Sequence, residues 1–473
     1  MSVIKNRTAF KECDIRGKYP DEVDEALFRQ VGFAFGRQVR QRSTEHLLKD
    51  TVVVGGDHRL STPALKSNFL AGLSATGVKI IDLGVIPTSV VYWAKSKRHV
   101  QASAAVTASH NPAEFNGLKI MNGDRPPTPE EILSLANSAE DGPAEAGAEL
   151  HRIGEWADVI DEYQDEIVAT FTSRGIESLA IVVDPGNGCQ AGIASEVYTQ
   201  LGARVTALHD RRDGLFRERH PDCAIPEHLA ALVTAVRRTR ADLGIAFDGD
   251  GDRLAVVDNR GRILGSERLG MILLRGPLRP QARDFIILDI KCSMQLERTA
   301  AELDGRPLRC RSGHAYMKKM VLDRQACMGV ELSGHIFLQA IEGRDDPLYT
   351  SLLLSAYLAG QSSTLADWVD QLPQIYMTPD VRLPMASDKI DRIIDVCRQG
   401  FAGSQIETVD GVRLLWEEGW LLVRRSITEP KITLRIEGER PQDLRTISQR
   451  LATVFPELQG AMEAAVAQVL CSV

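Results

Sequence analysis

Three α/β units built alike, followed by a smaller α+β unit, is the fold class this sequence predicts, and three observations predict it. The chain has 473 residues, room for three or four domains at the usual domain size. One pattern occurs three times: a β-branched run, a polar or Gly-containing turn, a helical stretch, then a second apolar run. After about Leu372 the texture changes to hairpin and alternating-strand patterns. A composition of 44% apolar and 25% charged residues excludes disordered and fibrous classes.

The first copy is TVVVGGDHRLSTPALKSNFLAGLSATGVKIIDLG from Thr51. Ser61 or Thr62 is placed to cap its helix, and Pro63 suits the first turn. The second copy, LAIVVDPGNGCQAGIASEVYTQLGARVTALHD, starts at Leu179, and the third, FIILDIKCSMQLERTAAELDGRPLRC, at Phe285. In the last quarter, a helical segment from Asp388 precedes DGVRLLWEEGWLLVRRS, whose apolar runs flank Glu417-Glu418-Gly419 as a hairpin would. KITLRIEGE then alternates like a half-buried strand, and a closing helix follows from Pro441. These changes divide the chain into expected domains at 1–152, 153–262, 263–372 and 373–473.

Lys and Arg number 56 against 64 Asp and Glu, a formal net charge of -8. No global basic field attracts nucleic acid or an acidic membrane, so neither is expected as a partner. An anionic substrate would need locally placed cations. The eight cysteines form no C-x-x-C pair, which fits reduced thiols better than a zinc site or a disulfide framework. MSVIKNRTAFKECDIRG lacks the apolar core of a signal peptide, and no apolar run is long enough to span a bilayer. A cytoplasmic location is therefore expected.

The most informative segment is ADLGIAFDGDGDRLAVVDNRGR. The apolar strand Leu243 to Phe247 runs into Asp248, Asp250 and Asp252, and a second strand leaves toward the turn Asn259-Arg260-Gly261. Alternate carboxylates converge when intervening glycines let the backbone bend, and three such charges repel unless a cation joins them. A hard divalent ion such as Mg²⁺ suits clustered oxygen ligands. An EF-hand does not fit, because Arg253 falls where Gly is required and Asn259 where the bidentate Glu belongs. Arg253 also suits a phosphate beside the metal.

A second constellation is AAVTASHNPAEFNGLKI. Ser109 lies among Thr107, His110, Asn111 and Pro112, where it is either a phosphate carrier or part of an ordinary turn. Lys119, after Gly117, is placed either to reach an oxyanion or to face solvent. Gly186-Asn187-Gly188-Cys189-Gln190-Ala191, followed by Asp210, approximates a dinucleotide fingerprint. An NAD-dependent oxidoreductase would leave Ser109 and the aspartate triplet without a purpose, so a tight turn is the expected reading.

Taken together, VTASHNP, DGDGDR, VELSGH and VRRSITEP resemble, in order and in wide separation, the motifs of the α-D-phosphohexomutase family, bacterial phosphomannomutase/phosphoglucomutase branch. The resemblance runs from KECDIRG to TLRIEGE, nearly the whole chain. It implies four domains around a central cleft, the fourth resembling the TATA-binding-protein fold. It implies that Ser109 carries the phosphoryl group and shares Mg²⁺ with Asp248, Asp250 and Asp252. Glu331, Ser333 and His335 would read sugar hydroxyls, while Arg424, Ser426 and Thr428 would grip the idle phosphate. Arg16, Lys119, Arg253, Lys291 and His314 would line the cleft, with Arg253, Lys119 and His314 nearest the chemistry.

The implied reaction interconverts hexose 6-phosphate and hexose 1-phosphate, mannose and glucose, through a hexose 1,6-bisphosphate that reorients in the cleft. A mobile fourth domain would exclude water. The implied partner is a small sugar phosphate, and the implied assembly a monomer or homodimer. The alternatives are phosphoglucosamine mutase and a non-catalytic sugar-phosphate-binding protein. Cys13, Val330 and Ile427 depart from the family pattern, the last removing one donor from the phosphate loop.

Overall fold

The computed structural model describes residues 7–46, 49–140, 153–426 and 431–471. The first sheet runs, in spatial order, Ile15–Lys18, Phe115–Asn122, Ala102–Val106, Thr51–Gly56, Lys79–Val85 and Ile153–Glu155. The second runs Ile263–Leu264, Leu254–Asp258, Leu243–Phe247, Ala180–Asp184 and Arg204–Ala207. The third runs Arg306–Cys310, Phe285–Asp289, Met328–Val330, Ile336–Leu338 and Arg344–Asp345. The expected boundaries therefore shift slightly: Ile153–Glu155 pairs with Lys79–Val85, past residue 152, and Ile263–Leu264 pairs with Leu254–Asp258, past residue 262.

All three sheets share one wiring. A central strand, Thr51–Gly56, Ala180–Asp184 or Phe285–Asp289, is parallel to a neighbour on each side. One of those neighbours then turns back into an antiparallel partner. That neighbour is Ala102–Val106 in the first sheet, Leu243–Phe247 in the second and Met328–Val330 in the third. Each is buried along its whole length, so its apolar side chains are covered on both faces, as a parallel sheet between helices requires. Loops at the carboxyl ends of such strands are where α/β sheets place ligands.

One apolar core runs through these three units, joining Val53, Ile245 and Leu288 among many others, while the opposite face of each sheet keeps a smaller cluster of its own. The helix Pro347–Ala359 helps to weld it, packing on Val159–Phe171 and Leu254–Asp258 of the second unit. The fourth unit has a separate core. Its antiparallel sheet runs Tyr376–Met377, Lys431–Gly438, Gly419–Arg425, Val412–Trp416 and Gln405–Glu407, with Val381–Pro384 also pairing with Lys431–Gly438. Helices Ser387–Arg398, Pro441–Val454 and Gln459–Cys471 complete the unit.

Lys431–Gly438 departs from the half-buried strand expected: every residue after Lys431 is buried. Its polar face meets the third unit instead of water. Arg435 faces Glu267 at 3.8 Å, and Glu437 accepts hydrogen bonds from Ser293 Oγ at 2.5 Å and the Met294 amide at 2.7 Å. Alternation in sequence marks two chemically different faces, but not what covers the polar one.

Candidate active site

The three strands in equivalent positions each end in a functional loop. Ala102–Val106 leads to Ser109, Leu243–Phe247 to Asp248, and Met328–Val330 to Glu331. Ser109 is fully buried and takes a left-handed backbone conformation, φ 53°, which costs a non-glycine residue about 1–3 kcal/mol and needs support. Arg59 supplies it. Its guanidinium, 0% exposed, donates to the carbonyls of Ser109 at 2.8 Å, Asn111 at 2.7 Å, Phe115 at 3.1 Å and Pro112 at 2.5 Å. Asp57 balances the charge from 2.9 Å. Sequence reading missed this residue, because Asp-His-Arg after a strand reads as a polar turn.

The serine hydroxyl donates to Asp248 Oδ2 at 3.0 Å, bringing together two loops that lie 139 residues apart in sequence. Gly249 makes the approach possible: a Cβ there would lie 2.7 Å from the Ser109 carbonyl oxygen. Beneath the acidic loop runs the turn at Gly186-Asn187-Gly188. A Cβ on Gly188 would lie 2.9 Å from the carbonyl oxygens of both Asp248 and Gly249, and the Cys189 amide donates to the Gly249 carbonyl. Asp210 accepts from the Gly192 amide and Ser195 Oγ. The residues of the dinucleotide fingerprint are thus committed to supporting the acidic loop and the start of its neighbouring helix.

Asp248, Asp250 and Asp252 are at most 1% exposed, and one oxygen from each lies within 4.8 Å of the others. Lys119 Nζ sits 2.8 Å from Asp250 Oδ2 and 2.5 Å from Asp252 Oδ2. Burial disfavours the ammonium, but the carboxylates outweigh it and hold the Lys119 pKa well above the usual lysine value. Burial, then repulsion from Asp250 and Asp252, pushes the Asp248 carboxyl up to about 8. Asp250 Oδ1 and Asp252 Oδ1 are buried with no hydrogen-bond partner among the described residues. Orphaned buried carboxylate oxygens are costly, and a hard divalent cation is the partner their chemistry fits.

Neighbouring domains clamp this loop. Thr88, at the start of the helix Thr88–Lys97, donates from Oγ1 to Asp250 Oδ2 at 2.7 Å and from its amide to the Asp250 carbonyl at 2.9 Å. From the third domain, the Gly334 carbonyl accepts the Leu254 amide at 3.1 Å. Arg253 Nε donates to His335 Nε2 at 3.1 Å and lies 3.7 Å from Asp248 Oδ2.

The other expected residues divide into two groups. His335 Nδ1 and His314 Nε2 both meet Asp345 Oδ2, at 2.9 and 2.8 Å, so both imidazoles are tied to one carboxylate that sequence reading did not single out. Glu331 Oε1 accepts from Ser333 Oγ at 2.8 Å, and Glu331 Oε2 has no partner among the described residues, which leaves it open to a hydroxyl donor. Arg16 bonds Asn111 Oδ1 at 2.9 Å, beside the serine loop. At the fourth domain, Arg424 pairs with Asp410 at 3.1 Å, and Lys291 lies between Asp289 and Asp380 at 3.8 and 3.9 Å. Ser426 lines a cleft of about 600 Å³ with Glu12, Arg311 and Asp410. Thr428 lies outside the described residues.

His110 is a residue the expectations left unassigned. Its Nδ1 is 3.4 Å from Ser109 Oγ, and burial, then Arg253, Arg16 and Lys119, hold its pKa well below the usual histidine value. The imidazole beside the serine is therefore neutral at physiological pH.

A buried serine on a triplet of cation-binding carboxylates, ringed by arginine and lysine and fed by loops from successive α/β repeats, defines a class: enzymes that move phosphoryl groups with a divalent metal. The comparisons make the assignment specific. Three family models match, described as phosphoglucomutase/phosphomannomutase alpha/beta/alpha domains I, II and III, over residues 7–143, 161–261 and 266–376. The phosphomannomutase/phosphoglucomutase of Pseudomonas aeruginosa is 32% identical over 451 residues, 94% of each chain. A phosphoglucomutase of Neisseria gonorrhoeae is 31% identical over 95% of this chain and 97% of its own. The crystal structure of a phosphoglucomutase/phosphomannomutase family protein from Burkholderia thailandensis matches with a TM-score of 0.85 at 32% identity, covering 97% of this chain and 98% of that one. This chain belongs to the phosphoglucomutase/phosphomannomutase family of α-D-phosphohexomutases.

Proposed function

We propose that this protein is a mutase that interconverts hexose 6-phosphate and hexose 1-phosphate, of mannose and glucose, with Ser109 as the phosphoryl carrier. The observation that carries this reading is Ser109 Oγ at 3.0 Å from Asp248 Oδ2, in a triplet whose other two members each keep one orphaned oxygen. The names of the relatives support the same activity. Asp248, Asp250 and Asp252, with an oxygen of Ser109, would hold Mg²⁺, which when bound neutralises charge on the phosphoryl oxygens.

The transfer breaks the bond between Ser109 Oγ and phosphorus and forms one between phosphorus and a sugar hydroxyl oxygen. The hydroxyl proton then needs an acceptor. Lys119 lies against two of the aspartates and supplies positive charge there; neutral His110, 3.4 Å from Ser109 Oγ, is the imidazole placed to take the proton and pass it to the departing serine oxygen. Arg253, anchored on His335, faces the same charge. The product of this step is a hexose 1,6-bisphosphate, which must turn over before its other phosphate returns to Ser109. Glu331 and Ser333 offer acceptor and donor to ring hydroxyls in either orientation, and Arg424 with Ser426 would hold whichever phosphate is idle. The substrate is a small sugar phosphate, handled in the cytoplasm by a monomer or homodimer of four domains.

The test is intact mass before and after incubation with glucose 1,6-bisphosphate, followed by peptide mapping. A phosphate-sized gain on the Ser109 peptide, absent in Ser109→Ala along with turnover, is expected. Full turnover by Ser109→Ala would end the proposal, and competing mannose, glucose and glucosamine phosphates in one coupled assay rank the substrates.

A further inference from the structure

Away from the aspartate triplet, a cavity of about 590 Å³ opens between the first and third domains. That volume is in the range of small-molecule sites. Five cations line it: Arg42, Lys49 and Lys95 from the first domain, Lys318 and Arg344 from the third. Among the described residues, two carboxylates, Asp124 and Glu342, line it with them. Glu342 is engaged by Ser96 Oγ, and Lys95 meets the largely exposed Asp124 at 3.3 Å. The lining is basic in a chain whose formal net charge is -8.

The cations are also poorly satisfied. Lys318 is only 3% exposed, and its ammonium finds the Tyr92 ring face, 4.5 Å from the centroid, with no carboxylate at ion-pairing distance among the described residues. Burial, opposed by the more distant Asp345 and helped by Lys95 and Arg344, lowers its pKa to about 8. Arg42 Nε, Arg344 Nη1 and Gln339 Oε1, all from residues lining the cavity, are buried without hydrogen-bond partners among the described residues. A buried cation without a carboxylate in direct contact is destabilising. Arg42 and Arg344 each spend one nitrogen on a backbone carbonyl, of Asn122 and Ile341, and keep another short of an acceptor beside this basic cavity, which favours an anion there.

We propose that this cavity is a second anion site that binds a small phosphate monoester, bridging the first and third domains behind the catalytic centre. Guanidinium and ammonium groups from two sides match a dianionic phosphate, and the volume leaves room for the carbon skeleton that carries it. The site sits on catalytic supports. Lys318 is on the helix His314–Arg324, which begins with the histidine bound to Asp345. Tyr92 is on the helix Thr88–Lys97, which begins with the threonine bound to Asp250. An anion drawing these helices together therefore acts on Thr88, which bonds the acidic loop, and on the His314–Asp345 pair that holds His335.

Calorimetric titration of the full chain with 2-phosphoglycolate, a phosphate monoester with no hydroxyl to phosphorylate, tests this. Two binding events are expected in the wild type, and Arg424→Ala, altered only in the cleft, keeps the cavity event. Lys49→Glu with Lys95→Glu weakens that event at least tenfold while hexose phosphate turnover and KM are unchanged. Lys318→Met serves as a second variant: it melts at or above the wild-type temperature and loses the stabilisation that 2-phosphoglycolate confers. A single event abolished by Arg424→Ala, or wild-type binding by the charge-reversal variant, would overturn the proposal.

Discussion

Replacing Arg59 by Met separates support of the serine loop from general stability. The guanidinium and its partner Asp57 are essentially sealed from solvent, with side-chain exposures of 0% and 1%. Removing one member of a buried pair leaves the other charge uncompensated, at a cost of about 3–5 kcal/mol. Because the first three domains share a core and should melt together, at about 1–2 °C per kcal/mol for a unit of that size the transition should fall by roughly 3–10 °C. The same change removes the donors that fix the carbonyls of Ser109, Asn111, Pro112 and Phe115. A displacement of the serine by about 1 Å costs on the order of a hundredfold in rate. Adding Asp57→Asn removes the stranded carboxylate, so the double variant should recover about 2 kcal/mol of stability and none of the turnover. Circular dichroism melts and a coupled mutase assay on the three variants provide the readouts. If Arg59→Met turned over at the wild-type rate, or if the double variant regained activity with stability, the guanidinium would not be what positions Ser109.

Other predictions concern the metal loop and the fourth domain. Because burial and its neighbours raise the Asp248 carboxyl to about 8 without a cation, the folded chain holds a proton there that the unfolded chain releases near pH 4. Stability from this group is therefore lost as pH rises toward 8; in chelator, wild-type melting should fall relative to Asp248→Asn between pH 5 and 8, and Mg²⁺ should cancel the trend. Gly188→Ala would bring a methyl group to 2.9 Å from two carbonyls of the acidic loop, and at least a tenfold loss of Mg²⁺ affinity by calorimetry is expected. Glu437→Gln replaces a carboxylate shared by Ser293, Met294 and Trp420; limited proteolysis should cut faster near residues 372–380, and KM should rise several-fold with kcat less affected.

Local chemistry was legible wherever it was written in a short run. Asp248, Asp250 and Asp252 announce themselves because repulsion between near neighbours demands a cation, and the alternating apolar runs around them define their strands. Arg59, Asp345 and Gly188 were not legible, because each acts on a partner distant in sequence. Arg59 reaches the serine loop some fifty residues on, Asp345 joins two histidines from different segments, and Gly188 is small for the sake of carbonyls sixty residues later. Lys119 had two open readings in sequence, an oxyanion or solvent; its distances to Asp250 and Asp252 place it against the acidic loop and away from solvent. The polar face of Lys431–Gly438 shows the same limit at the scale of a domain, since only the neighbour reveals whether water or protein covers it.

The distribution of the core bears on how this architecture can be taken apart. The acidic loop is hydrogen-bonded by Thr88 from one side and Gly334 from another, within apolar packing that runs unbroken through the first three sheets. The last domain keeps its interior to itself and touches the rest through a small apolar contact at Ile290, Met294, Trp420 and Leu422 and a few polar links. Recombination among relatives should accordingly tolerate a foreign C-terminal quarter, grafted whole, far better than any exchange within the preceding three.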